Sequence, residues 1–212
     1  MFIKWIVCEV KKGKKQEFSL AQEKWIKSAE ADGFIAQAGG WNLKNKYEAC
    51  IISFWNSKEQ LENFMGNLHD KIFDKNKQSE TYNSIAVNHF IGKLDIERRE
   101  ASLSDAIQIG KLLRVTDCYL NPGKNVPFEK VQKEIWIPGM KNSEGMLIGI
   151  FSKASKNNVG YLVTSFWNSV ENHNYYVANM LPKFKERTGV TNDMESTTGR
   201  IIELVDSWKI IK

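Results

Sequence analysis

The feature that most constrains this chain is an internal duplication. Ser53-Phe-Trp-Asn-Ser57 recurs as Ser165-Phe-Trp-Asn-Ser169, 112 residues later. Upstream, Cys8, Gly13, Lys14, Phe18 and Gln22 meet Cys118, Gly123, Lys124, Phe128 and Gln132 at an offset of 110, and Lys4 meets Arg114 in the same frame. A two-residue insertion in the second copy reconciles the two frames. Two ordered matches in nearly one frame imply two copies of a unit of about 95 residues, each a supersecondary unit that buries its apolar face with help from the other. The division expected is a first repeat over 1–95, a polar linker over 96–109 and a second repeat over 110–212.

Both copies spell the same order of elements. In the first, Phe2–Val10 is rich in β-branched and aromatic residues and reads as a strand. Lys14–Ala31 places Phe18, Ala21, Gln22, Trp25, Ile26 and Ala29 at helical spacing, and Gly33 stops that helix. Phe34–Trp41 and Tyr47–Trp55 are strands joined by a turn at residues 43–46. Ser57 caps a second helix with Gln60 three residues on, and Leu61, Phe64, Met65, Leu68, Ile72 and Phe73 form its apolar face. Ser84–Ile91 is the fourth strand. The second copy follows with strand Leu112–Leu120, helix Pro127–Ile137 ended by Pro138 and Gly139, strands Met146–Phe151 and Gly160–Trp167, helix Val170–Arg187 and strand Arg200–Ile211. The order β-α-β-β-α-β is the ferredoxin-like unit, and the fold class is α+β.

A lone unit of this kind leaves one sheet face in water, so its strands should alternate. These do not. Ala49-Cys-Ile-Ile-Ser-Phe-Trp55 is apolar or small throughout, and Phe2-Ile-Lys-Trp-Ile-Val-Cys8 carries one charge in seven. Near-continuous runs imply burial on both faces. Two tandem repeats closing an intrachain eight-stranded α/β barrel satisfy that requirement.

This arrangement resembles the antibiotic biosynthesis monooxygenase-like superfamily of dimeric α/β barrels, and within it the uncharacterised two-repeat members of Bacillus-type bacteria. The motifs that carry the likeness are a third strand ending in Trp55, a helix capped by Ser57 and, further along that helix, His69-Asp-Lys-Ile-Phe73. The second copy keeps Trp167 and Ser169 but has Leu181 where His69 would fall.

Composition narrows the function classes. The 212 residues are 42% apolar and 26% charged, an ordinary balance for a folded protein. No apolar run is long enough to span a membrane, and the N-terminus, Met-Phe-Ile-Lys-Trp, has no signal-peptide pattern, so a cytoplasmic protein without a membrane partner is expected. Cys8, Cys50 and Cys118 lie in apolar runs without a Cys-x-x-Cys pattern, which reads as buried reduced thiols. His69, His89 and His173 show no metal-ligand spacing, so no metal is expected. Net charge is +5, but the lysines are scattered and Lys11-Lys12-Gly13-Lys14-Lys15 is the one basic cluster, which reads as a solvated loop and not as a nucleic-acid surface. No phosphate-binding glycine loop or nucleophile elbow is present, so no cofactor is expected.

The residues with chemistry concentrate in the first copy. His69 is the candidate acid or base. Its neighbour Asp70 points about 100° away on a regular helix and need not orient it. Trp41 and Asn42 follow Gly39-Gly40, where glycines either admit a flat ligand or form a bulge; with Gln37, Phe64 and Trp55 they make up the candidate substrate-binding set. The equivalence of Trp55 and Trp167 favours structural packing for that pair. Lys4 and Arg114 interrupt matched strands and read as snorkelling side chains or as contacts to an anionic ligand.

The resemblance implies a protein that holds a small apolar or aromatic molecule, with cofactor-independent monooxygenase chemistry in which His69 moves the proton. The alternative is a non-catalytic ligand-binding or stress-related barrel. A haem-degrading variant is disfavoured, because Asp74 stands where such relatives place the iron-ligating histidine and Phe64 where they place a helix tryptophan. A closed chain of this kind is expected to be a monomer with an internal pseudo-dimer, or a weak homodimer.

Overall fold

The computed structural model describes residues 1–97 and 102–212. The first repeat runs β1 (Phe2–Val10), α1 (Lys15–Glu23), β2 (Phe34–Asn42), β3 (Asn45–Trp55), α2 (Lys58–Phe64), α3 (Asp70–Asn76) and β4 (Tyr82–Glu97). After α4 (Leu103–Ile109), the second runs β5 (Leu112–Leu120), α5 (Asn125–Val131), α6 (Ile137–Lys141), β6 (Met146–Ala154), β7 (Gly160–Trp167), α7 (Val170–Asn179), α8 (Leu181–Thr188) and β8 (Met194–Leu204), followed by the short β9 (Ile210–Ile211). The fold is α+β with two ferredoxin-like repeats. The strands hydrogen-bond in the order β3-β1-β4-β6-β7-β5-β8-β2, and β2 also pairs with β3, so the order of eight strands closes on itself; β9 adds to β2. No helix among the described residues is long and apolar enough to cross a membrane.

Two compact units are assembled across the chain. One contains residues 1–89 and 202–212, the other residues 90–201. The boundaries fall inside strands. Phe90–Glu97 of β4 pairs with β6 in the second unit, and Ile202–Leu204 of β8 pairs with β2 in the first. Of the stretch read as a linker, residues 98–101 lie outside the described residues. Ile96 and Glu97 continue β4, and Leu103–Ile109 is helical because Ser102 and Asp105 form a reciprocal capping box.

Each helix departs from the even periodicity of its sequence at a definite point. The first ends at Glu23 as an α-helix and tightens into a 3₁₀ turn over Lys24–Glu30. Between α2 and α3, Met65–His69 is a π-helical turn, and Gln132–Trp136 is another between α5 and α6. Pro138 and Gly139 do not end their helix. Pro138 occupies the first turn of α6, where its missing N–H is harmless, and a Cβ on Gly139 would stand 2.2 Å from the Phe184 ring. The helix expected over Val170–Arg187 breaks at Met180, one residue ahead of Leu181-Pro182. The last strand is also two pieces: β8 begins earlier than expected, and a 3₁₀ turn at Asp206–Trp208 separates it from β9.

The repeat is sharpest in strand register. Phe2 faces Trp55 and Lys4 faces Ser53 across β1 and β3; Leu112 faces Trp167 and Arg114 faces Ser165 across β5 and β7. Trp55 Nε1 donates to Ser53 Oγ at 3.0 Å, and Trp167 Nε1 to Ser165 Oγ at 2.9 Å. Both tryptophans are almost wholly buried, so each indole N–H needs an internal acceptor. Residues i and i−2 of a strand share a face, which makes the serine the local solution. Ser53→Ala and Ser165→Ala should each destabilise the protein by about 1–3 kcal/mol, the usual consequence of orphaning a buried donor, measured by urea unfolding. Unchanged midpoints would contradict this account of the two serines.

Candidate functional site

In the first unit the site grows from the Trp55–Ser53 pair. Phe34 meets the Trp55 ring edge-on at 5.1 Å, and Phe64 on α2 lies against it at 4.9 Å. Phe2, Leu61 and Ile72 complete this apolar layer. Beyond Phe64 the helix opens into the π-helical turn. Such turns displace side chains from the regular helical face and recur at functional sites.

His69 closes that turn. Trp25 lies 5.1 Å from it, Phe64 approaches edge-on at 5.9 Å and Phe73 stacks at 5.8 Å. Its side chain keeps 17% of its surface in solvent. Trp25 is fixed in turn, because its Nε1 donates to Gln78 Oε1 at 2.7 Å and Gln78 Nε2 donates to Gln22 Oε1 at 2.9 Å. His69 Nδ1 lies 2.8 Å from Asp70 Oδ1. Asp70 thus holds the imidazole, although adjacent residues of a regular helix point about 100° apart. The tautomer that donates Nδ1–H to the carboxylate is the one that leaves the lone pair on Nε2.

Lys4 sits at the other end of the same turn. It is 8% exposed, and its Nζ donates to Met65 Sδ at 3.4 Å. A thioether is a weak acceptor, and no carboxylate among the described residues pairs with this ammonium. Burial therefore pushes its pKa from 10.5 down to about 8. The side chain does not snorkel. It is a buried cation aimed at the helix that carries His69.

His69, Phe64 and Trp55 thus come together. Trp41, Asn42 and Gln37 do not join them. Trp41 packs in a separate cluster, 5.8 Å from Phe18 and 5.4 Å from Trp208, with Lys15 Nζ 4.1 Å above its ring. Asn42 donates to Glu48 and accepts from the Lys44 N–H, tying off the β2–β3 turn. Gln37 Nε2 points to the Trp208 carbonyl at 3.5 Å. Gly40 is explained by the fold itself: an added Cβ would stand 1.9 Å from the Glu203 carbonyl oxygen of β8.

The second unit repeats the frame and changes the chemistry. Arg114 and the Ser165–Trp167 pair match Lys4 and Ser53–Trp55. On α7, His173 is wholly buried and meets Trp167 edge-on at 5.4 Å, while the buried Tyr176 lies 5.1 Å from Trp167. From the sequence, His173 reads as a histidine without metal-ligand spacing and Tyr176 as a plausible cavity hydroxyl beside Tyr82 and Tyr175, and neither is singled out. At the offset of 112 they replace Leu61 and Phe64, so polar groups at apolar core positions were the available signal. Among the described residues, no group of three metal-ligating side chains is placed to hold a metal ion.

Residues 2–90 match the domain of unknown function DUF4937. The uncharacterised protein YdbC of Bacillus subtilis is 39% identical over 89 residues, which are 41% of this chain and 75% of YdbC. The chain belongs to the YdbC family. Across its whole length this YdbC-family chain shares its fold with solved structures of low identity. A candidate monooxygenase of Fusobacterium nucleatum superposes with a TM-score of 0.79 at 13% identity, covering 100% of this chain and 94% of that one. An anthrone oxidase-like protein gives 0.70 at 12%, covering 96% and 91%. A Listeria monocytogenes ferredoxin-fold protein related to antibiotic biosynthesis monooxygenases gives 0.54 at 10%, covering 97% and 95%. The fold of this YdbC-family member is that of the antibiotic biosynthesis monooxygenase-like proteins.

Lys4 titrates lower in the folded chain than in the unfolded one, so folding is penalised wherever the unfolded lysine is protonated. Stability is therefore lost as pH falls from 10.5 through about 8. Lys4→Met should stabilise the protein at pH 7 by about 1–3 kcal/mol, and the advantage should shrink by pH 10. Chemical denaturation at the two pH values checks both halves of this expectation.

Proposed function

We propose that the first repeat binds a planar, electron-rich aromatic molecule bearing an acidic oxygen or carbon, and oxidises it with dioxygen without a cofactor. The observation that carries the reading is His69, held by Asp70 within a nest of three aromatic rings, with the buried Lys4 ammonium at the opposite end of the same π-helical turn. Nε2 takes the substrate's proton. The Lys4 ammonium stabilises the negative charge that develops on oxygen, and it does so strongly because the surroundings are apolar. The resulting anion is electron-rich enough to reduce dioxygen. For a CH₂ flanked by two rings, one oxygen atom ends as the new carbonyl and the other leaves as water. The surrounding rings match the substrate's flat shape and keep water from competing. Likeness of fold to an anthrone oxidase-like protein supports the substrate class.

Oxygen uptake with anthrone and with 1,4-dihydroxynaphthalene tests this. His69→Ala should lower the rate by about 10²–10⁴-fold, the usual contribution of a positioned acid or base, and Lys4→Met should lower it while leaving His69 in place. No uptake above the His69→Ala control would overturn the oxygenase reading for these substrates.

A further inference from the structure

Among the described residues of the second unit, three hydrogen-bond donors set around Trp167 lack an acceptor: Arg114, His173 and Tyr176. Arg114 lies on the face of β5 that also presents Leu112 and Cys118 to apolar clusters under the helices. It is partly buried, and no carboxylate pairs with it among the described residues. His173, wholly buried, has no partner at hydrogen-bonding geometry for either ring nitrogen. The Tyr176 hydroxyl likewise has no partner among the described residues. The three converge on one residue: His173 and Tyr176 both pack against Trp167, whose indole donates to Ser165, and Ser165 lies across the strands from Arg114; the Arg114 charge accordingly bears on both.

Their protonation states make the set one-sided. Burial, followed by the nearby Arg114 charge, lowers His173 to about 4, against the opposing effect of the adjacent Asn174 side chain. Burial pushes Tyr176 up to about 12. At neutral pH the group is therefore a guanidinium, a neutral imidazole with one N–H and an intact phenol, all able to donate. The nearest polar partner across the strands, Ser165, already accepts from Trp167. Unused buried donors are rare because each is costly, and a cation beside two of them lacks only an anion.

We propose that the second repeat is a binding site for a small aromatic carboxylate, whose oxygens are held by the Arg114 guanidinium, an imidazole N–H of His173 and the Tyr176 hydroxyl. A carboxylate fits better than a phosphate, since the set offers a single cation in a fork that matches two coplanar oxygens. The rings of Trp167, Tyr176 and Phe184 supply an aromatic setting. The site stands on residues of the second unit alone and is independent of the oxygenase reading, so either can fail without the other.

The test is calorimetric titration of the full chain with 1-naphthoate and with the neutral 1-naphthylmethanol, in a Lys4→Met background that removes the first repeat's cation. The naphthoate should bind at least tenfold more tightly than the alcohol. Arg114→Met should abolish that preference and, without ligand, should leave the melting temperature unchanged or raised. Tyr176→Phe, which keeps the ring, should weaken naphthoate at least threefold, and it serves alone if Arg114→Met fails to fold. Equal binding of acid and alcohol, a preference that survives Arg114→Met, a melting temperature lowered by that change, or full affinity in Tyr176→Phe would each overturn the proposal.

Discussion

An indole N–H turned back onto the serine two residues earlier organises both halves of this chain. In each repeat the third strand ends in a buried tryptophan, and the hydroxyl that satisfies it lies directly across from the cation of the first strand. The bond fixes the ring against the following helix, which sets where that helix presents its side chains. It also engages the hydroxyl of the residue that lies across the strands from the cation. Lys4 and Arg114 are consequently left in apolar surroundings without a counter-charge, an arrangement that lowers stability and is retained at both copies. Groups held in this way are typical of sites shaped by what they bind.

From that shared frame the repeats diverge along the second helix. Leu61, Phe64 and His69 of the first copy become His173, Tyr176 and Leu181 in the second. The first copy carries its polar chemistry at a π-helical turn, where His69 keeps some contact with solvent. The second carries it on the buried face of the first turns of α7, and that helix then breaks ahead of Leu181-Pro182. A base with a free lone pair suits proton removal. A cluster of donors suits holding a charge that is already formed.

Much of the fold was legible because its signals are local or duplicated. The Ser-Phe-Trp-Asn-Ser repeat, the caps at Ser57 and Ser169 and the apolar strands gave the order of elements. The π-helical interruptions were not legible, because such turns leave the apolar spacing nearly intact. Gly39-Gly40 reads as room for a ligand or as a bulge; a register shift follows at Trp41/Asn42, and Gly40 also makes room for the backbone of β8, a contact between residues distant in the chain that no local signal announces. His69, Phe64 and Trp55 were found because they lie along one strand–helix unit. Trp41, Asn42 and Gln37 were grouped with them by type, but their positions depend on Trp208 and the β2–β3 turn. Lys4 reads from sequence as a snorkelling lysine or as a contact to an anionic ligand, with nothing local to decide between them. Only its burial against Met65 reveals a charge in need of a partner.

The central claim is that this charge is buried and uncompensated until an anion arrives. Carbon-13 NMR of the Lys4 Cε signal, followed across pH, measures it directly. The account predicts a midpoint near 8 in the free protein, rising toward the ordinary lysine range when an aromatic phenol or acid occupies the first repeat. A free-protein midpoint already near 10.5 would contradict it.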